Sequence, residues 1–299
     1  MAFRQQAVDQ MAAQETGAAR HKYSHRCQSF PFLVCRKWAT MYPTLPFGPL
    51  QLPTAPILAI FAVMLALDVG GRYARRMGID PDDLWNVGLI ALAAGLIVAR
   101  LWNVFQFWPI YRAEPILVFS LRPSGFEFWP GLVAALLAGY AYLLYRALDP
   151  VRVAAALAVG GLAGGMLLAV SGHATGAILG TKTGVPWALT YFGEMRHPAG
   201  LYQMVGLAFL SIALWIASDP ARPGRVVLMA VLGYSLLRLI TDSFVDNAEL
   251  IGAFRRSQIV ALAVALVASF ALARRSAPHT AAAEPPPSPA STAPQEEAQ

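Results

Sequence analysis

Two arginines lie inside otherwise apolar stretches: Arg100 in "NVGLIALAAGLIVARLWNVF" and Arg238 in "VVLMAVLGYSLLRLITDSF". A guanidinium at helix depth in a membrane costs several kcal/mol unless protein or water receives it. Asp242 stands four residues after Arg238 and Tyr234 four before it, spacings that bring all three to one face of a helix. Such a group can be a buried ion pair that keeps helices in register. It can equally be a site for an anion or a lipid headgroup, the reading we favour because other polar residues fall at the same depth. A second cluster, Arg196, His197, Pro198, Leu201 and Tyr202 in "RHPAGLYQ", follows "GTKTGVPWAL" at 180–189. His197 is the strongest candidate for a proton acceptor, against the plainer role of bonding a loop carbonyl next to Pro198 at a helix start. No nucleotide loop, metal cluster or Ser/His/Asp arrangement is visible, so neither a metal nor another cofactor is expected, and no partner of the nucleic-acid class.

These residues need long apolar elements to carry them. The 299-residue chain is 57% hydrophobic and 13% charged, with a mean hydropathy of +0.49, which points to one polytopic membrane domain. The fold class expected is an all-α membrane protein of about seven spans, near Pro53–Val69, Leu84–Trp108, Trp129–Leu148, Val151–Ser171, Pro198–Ala217, Arg225–Val245 and Gln258–Leu272. The fourth holds "GGLAGGMLL", small residues that let helices approach closely in lipid. Arg72, Arg75, Arg76, Arg146, Arg152, Arg222, Arg225, Arg274 and Arg275 fall in alternate connections and at the end of the last span. The positive-inside rule makes those ends cytoplasmic, the start external and the C-terminus internal. Arg100, Arg238, Asp242 and the 172–197 loop then share the outer side.

Three segments stand apart. Residues 1–40 hold six Lys/Arg against two acids, together with Cys27 and Cys35. That charge resists export, so the segment is either a cytoplasmic extension with inverted topology or, as we prefer, lies ahead of a true start at Met41. Residues 41–275 form the membrane domain. Residues 276–299, rich in Pro, Ala and Ser, have the composition of a disordered tail.

From Met41 to Arg275, the blocks just quoted follow the order seen in the prolipoprotein diacylglyceryl transferase family, which the chain resembles. The resemblance implies transfer of the diacylglyceryl group of phosphatidylglycerol, or another anionic phospholipid, to a lipobox cysteine thiol. The partners implied are that lipid and a lipoprotein precursor presenting its signal peptide. The setting implied is the bacterial inner membrane, with the site facing outward. Arg238 matches the arginine after the family's "GYG" segment, Tyr234 its tyrosine, and Asp242 stands where the family has Glu. Arg100 matches the arginine of a "GGRIGY"-like segment. Arg196, His197 and Tyr202 match the "RHPxxLYE" block, with Gln203 for its acid. Gly180 matches the glycine closing the "GRxGNFxNxExxG" signature. The resemblance thus implies lipid-phosphate or substrate binding by Arg100, Arg196, Arg238, Gly180 and Tyr202, and catalytic roles for His197, Arg238, Asp242 and Tyr234.

The chain departs from that signature at several points. Aligned without a gap on Gly180, its arginine falls on Ala169, its asparagines on Gly172 and Thr175, and its glutamate on Ala177. The histidine of the family's "SFHGG" segment falls on Trp129, and an early tyrosine on Ala55. His173 is the one titratable group left in the signature segment. Three readings stay open: a divergent transferase, a catalytically silent homologue that binds phospholipid or precursor, and a transferase with another acceptor. Trp187 and Tyr202 also suit interfacial anchors, Arg255 and Arg256 suit snorkelling or lipid-phosphate contact, and Glu127 and Arg122 suit a solvated loop.

Overall fold

A computed structural model describes residues 42–47, 50–119, 125–252 and 254–276. Segment 1–40 with Cys27 and Cys35, Arg122, and the tail after Ser276 lie outside the described residues. Seven helices are long and apolar enough to cross a membrane. They are α1 (Thr54–Arg75), α2 (Pro81–Gln106), α4 (Phe128–Tyr145), α5 (Pro150–Thr175), α6 (Ala199–Ala217), α7 (Pro223–Thr241) and α8 (Arg256–Ser276), with a short α3 (Trp108–Ala113) after α2. The expected seven-span helical architecture is what the chain adopts.

The boundaries differ from the apolar runs because caps, not hydropathy, end helices. Helix α2 begins at Pro81 rather than Leu84 because the Asp80 side chain accepts from the Asp82 amide at 3.0 Å, and Pro fits a first turn that has no partner for its amides. Asp149 and Pro150 start α5 in the same way. Gly176, at φ 75°, closes α5 in the left-handed conformation that glycine adopts at little cost.

Helix α5 is the axis of the bundle. Half of its membrane-length window is buried, against 17% for α4 and α8. Its glycines explain this position. A Cβ on Gly160 would lie 2.9 Å from Gly70 Cα, and one on Gly164 would lie 2.8 Å from Ala66 Cβ. Backbone therefore rests on backbone between α5 and α1, the close approach that small residues permit. Helices α6 and α7 complete the ring round α5, while α2 pairs with α4 and α7 with α8.

The two ends of the bundle are built differently. At one end Arg76 donates to the Trp215 carbonyl at 2.7 Å and stacks 4.4 Å from its ring, and Tyr73 Oη meets Ser218 Oγ at 2.6 Å. Arg152 reaches the Met77 carbonyl and Arg146 the Asp83 carboxylate at 2.9 Å. The basic connections therefore share one end, as their alternation requires. The opposite end carries three antiparallel hairpins: β1 (Thr44–Phe47) with β2 (Leu50–Pro53), β3 (Leu189–Tyr191) with β4 (Glu194–Arg196), and β5 (Leu250–Ile251) with β6 (Phe254–Arg255).

Candidate functional site

A groove of about 1030 Å³ runs between α5, α7 and α8. Leu157, Leu168, Val231, Val260 and Val264 give it apolar walls, and its partly exposed flank (Leu168 52%, Val260 55%) opens it sideways between helices. Its hairpin end is polar, bounded by Gln203, Arg238, Asp242, Asn247, Glu249 and Arg256.

The centre of that end is the pair expected from i,i+4 spacing: Arg238 Nη2 lies 3.0 Å from Asp242 Oδ2. Asp242 is 1% exposed, whereas a third of the Arg238 side chain faces the groove. Gln203 Nε2 reaches Asp242 Oδ1 at 3.5 Å, and the Arg255 guanidinium donates to the Asp242 carbonyl. Asp242 Oδ2 has charge contact with Arg238 but no aligned hydrogen-bond donor. Buried lone pairs are normally satisfied, so this oxygen keeps capacity for a further donor. Tyr234 lines the same wall two turns of contact from Asp242, with 44% of its surface exposed.

Beside the groove the "RHPAGLY" block forms a relay. Trp187 Nε1 donates to Tyr202 Oη at 2.7 Å, and Tyr202 Oη lies 3.1 Å from His197 Nδ1. With its oxygen accepting from Trp187, the Tyr202 hydroxyl is free to donate its own proton to His197. The His197 ring packs 5.0 Å from that of Phe244, which closes the turn Asp242–Phe244, so relay and ion pair share a floor. Gly180 supports both from below. A Cβ there would strike the His197 carbonyl carbon at 2.8 Å, and its backbone bridges Val245.

Arg196 is a hub rather than a groove residue. It donates to Asp246 at 2.6 Å, to the Gly180 carbonyl at 2.9 Å and to Glu194 at 3.1 Å. The Asp246 bond raises the Arg196 pKa further. The Lys182 ammonium bonded to Glu194 at 2.5 Å, with Arg196 beside it, holds the Glu194 carboxyl below the ordinary carboxylate range. Burial pushes the Tyr191 hydroxyl up to about 12, and Tyr191 Oη sits 2.5 Å from His173 Nδ1.

Arg100 is not brought to the groove. Its guanidinium donates to the carbonyls of Val118 at 2.9 Å, Gly125 at 2.8 Å and Leu117, and lies 5.3 Å from the Tyr111 ring. Glu127, expected to be solvated, is half-buried and receives the Asn103 amide at 3.4 Å. Arg256, read from the sequence as suited to snorkelling or lipid-phosphate contact, lines the groove together with Glu249 and Asn247, which the sequence did not single out. Arg256 and Glu249 pair at 2.7 Å across a hairpin, a contact that no local sequence pattern announces. Ala169 and Ala177 line the groove too.

Seven membrane-length helices with a lipid-sized, laterally open groove and an ion pair at its polar end define a multi-pass membrane protein. Residues 44–274 match the prolipoprotein diacylglyceryl transferase family, and the chain belongs to that family. Among its relatives is the phosphatidylglycerol–prolipoprotein diacylglyceryl transferase of Clostridioides difficile, 25% identical over 207 residues that cover 69% of this chain and 84% of the relative. The protein of the same description from Corynebacterium diphtheriae is 28% identical over 262 residues, covering 76% and 90%. That of Aromatoleum aromaticum is 29% identical over 214 residues, covering 66% and 79%.

Proposed function

We propose that this protein transfers the diacylglyceryl group of phosphatidylglycerol to the cysteine thiol of a prolipoprotein at the outer face of the bacterial inner membrane. The observation that carries the proposal is Arg238, a third of its side chain exposed, held by buried Asp242 at the polar end of an apolar groove. The acyl chains occupy the groove between α5, α7 and α8, and the phosphate meets Arg238. Asp242 fixes the guanidinium so that its planar fork faces the phosphate. Tyr234 adds a hydroxyl on the same wall.

The thiol of the lipobox cysteine loses its proton to Tyr202, whose own proton passes to His197 Nδ1. The thiolate attacks the glyceryl carbon that bears the phosphate ester, the new C–S bond forms as the C–O bond breaks, and glycerol phosphate leaves with the electron pair. Arg238 stabilises the departing charge in a low-dielectric site, where an oriented donor acts strongly. Arg100, Arg196 and Gly180 act as positioning residues: Arg100 ties the loop after α2, while Arg196 and Gly180 hold the relay against the turn of Asp242.

A second reading is favoured by one observation. Ala169 and Ala177, where the family's signature carries arginine and glutamate, line this groove. A protein that binds phospholipid and precursor without transfer fits that loss of charge. Expression of the full chain in a bacterium depleted of its own transferase, scored by thioether lipidation of a reporter lipoprotein, decides between them. Lipidation that vanishes with Arg238→Ala supports the enzyme. No lipidation from membrane-inserted protein that still binds phosphatidylglycerol vesicles overturns it in favour of the silent homologue.

A further inference from the structure

The β5–β6 hairpin takes no part in the chemistry above, yet it presents three large apolar side chains: Leu250 is 65% exposed, Ile251 55% and Phe254 70%. It is a fixed element. The Arg256 amide donates to the Glu249 carbonyl at 2.9 Å, Arg256 Nη1 meets Glu249 Oε2 at 2.7 Å, and Arg255 donates to the Asp242 carbonyl. Its cross-strand pairs are Leu250 with Arg255 and Ile251 with Phe254.

Two observations say what covers these side chains. Strand β6 passes into α8 without an intervening residue. The outward stripe of α8 (Ile259, Leu262, Leu266, Phe270) is exposed apolar surface of a membrane-length helix. The hairpin's apolar residues are thus continuous with the surface that α8 turns to lipid. Arg255 and Arg256 lie between the two, at the level where a headgroup phosphate meets the acyl boundary. The hairpin also stands at the polar end of the groove, because Glu249 and Arg256 form part of its lining.

We propose that Leu250, Ile251 and Phe254 seat in the headgroup–acyl boundary of the leaflet facing the groove's polar end. There they form a threshold over which a phospholipid slides from the bilayer into the groove. The depth of the hairpin is independent of catalysis. Its kinetic consequence rests on the transferase reading, and the two arms of the test keep these apart.

For the first arm, Phe254→Cys, with Cys27 and Cys35 replaced by serine, carries an environment-sensitive fluorophore in vesicles containing phosphatidylglycerol. Nitroxide-labelled lipids act as quenchers at graded depths. Emission characteristic of an apolar setting, quenched about twofold or more by nitroxides near the glycerol backbone, is expected from interfacial burial. Water-like emission without lipid quenching overturns the proposal. So does shielding that appears only on adding a precursor peptide or on raising the protein concentration. The second arm is the triple variant Leu250→Ser, Ile251→Ser, Phe254→Ser. Its apparent KM for lipid in vesicles rises roughly fivefold, while turnover in mixed detergent micelles, which need no threshold, stays unchanged. An equal loss in vesicles and micelles overturns the threshold role. Absence of any transfer in the unmodified chain counts against the transferase reading alone, because the first arm still reads the hairpin's depth.

Discussion

Removing the Arg238 guanidinium has two effects that must be separated. It takes away the proposed phosphate contact, and it leaves Asp242, 1% exposed, as a buried carboxylate without its cation. Breaking one side of a buried pair costs roughly 3–5 kcal/mol; the exposure of a third of the Arg238 side chain places this case toward the lower figure. Arg238→Lys separates the effects, since it keeps the charge for Asp242 and loses the planar fork. We expect transfer to fall about 10²-fold with Arg238→Lys. The melting temperature in detergent should stay within roughly 3 °C. Transfer unchanged by Arg238→Lys would remove the guanidinium from the reaction. Tyr202→Phe tests the relay: it deletes the hydroxyl between Trp187 and His197 and alters no charge. A loss of about 10²-fold in kcat with little change in lipid KM is the signature of a lost proton transfer. A rise in KM alone would make Tyr202 an anchor.

At the scale of elements, helix α5 and the β3–β4 hairpin respond to different stresses. Gly160→Val drives side-chain atoms into the backbone of Gly70, 2.9 Å away at Cα, which cannot give as a side chain would. Overpacking of about 1–3 kcal/mol follows, and melting in detergent should fall by several degrees; an unchanged melting curve would mean that α1 and α5 separate freely. The hairpin answers to pH. Lys182 and Arg196 hold Glu194 below the ordinary carboxylate range, so their contribution is fully present above the unfolded value and is lost as pH falls through the lowered one. Protection of the 189–196 amides against hydrogen exchange, taken relative to the intrinsic rate at each pH, should therefore hold through the ordinary carboxylate range and fall only on further acidification, and Glu194→Gln should abolish that step. The elements were also where the sequence was most readable. Seven apolar runs gave seven helices, and i,i+4 spacing joined Arg238 to Asp242. The hydrogen-bond acceptors of Arg100 were not readable, since all three are backbone carbonyls and any residue supplies one. Gln203 to Asp242 and Arg196 to Asp246 span 39 and 50 residues, distances at which one sequence carries no pairing signal.

For the whole molecule, the basic connections at one end and the hairpins at the other give a testable polarity. With Cys27 and Cys35 replaced by serine, Gly184→Cys in the hairpin end should react with a membrane-impermeant thiol reagent in spheroplasts. Ala221→Cys in a basic connection should react only after lysis. The reverse pattern would invert the molecule and carry the groove's polar end to the cytoplasmic side. Both positions suit the assay, since nothing lies within 4 Å of a Cβ added at Gly184 and Ala221 is exposed.

Arg100 has a further consequence at this scale. Its one side chain grips the chain at Leu117 and Val118 and again at Gly125, and α2 packs along α4 below it. The covalent link from Phe119 to Gly125 is therefore duplicated by non-covalent ones. A gene divided within that stretch should yield two polypeptides that reunite in the bilayer, with Arg100 as the clasp.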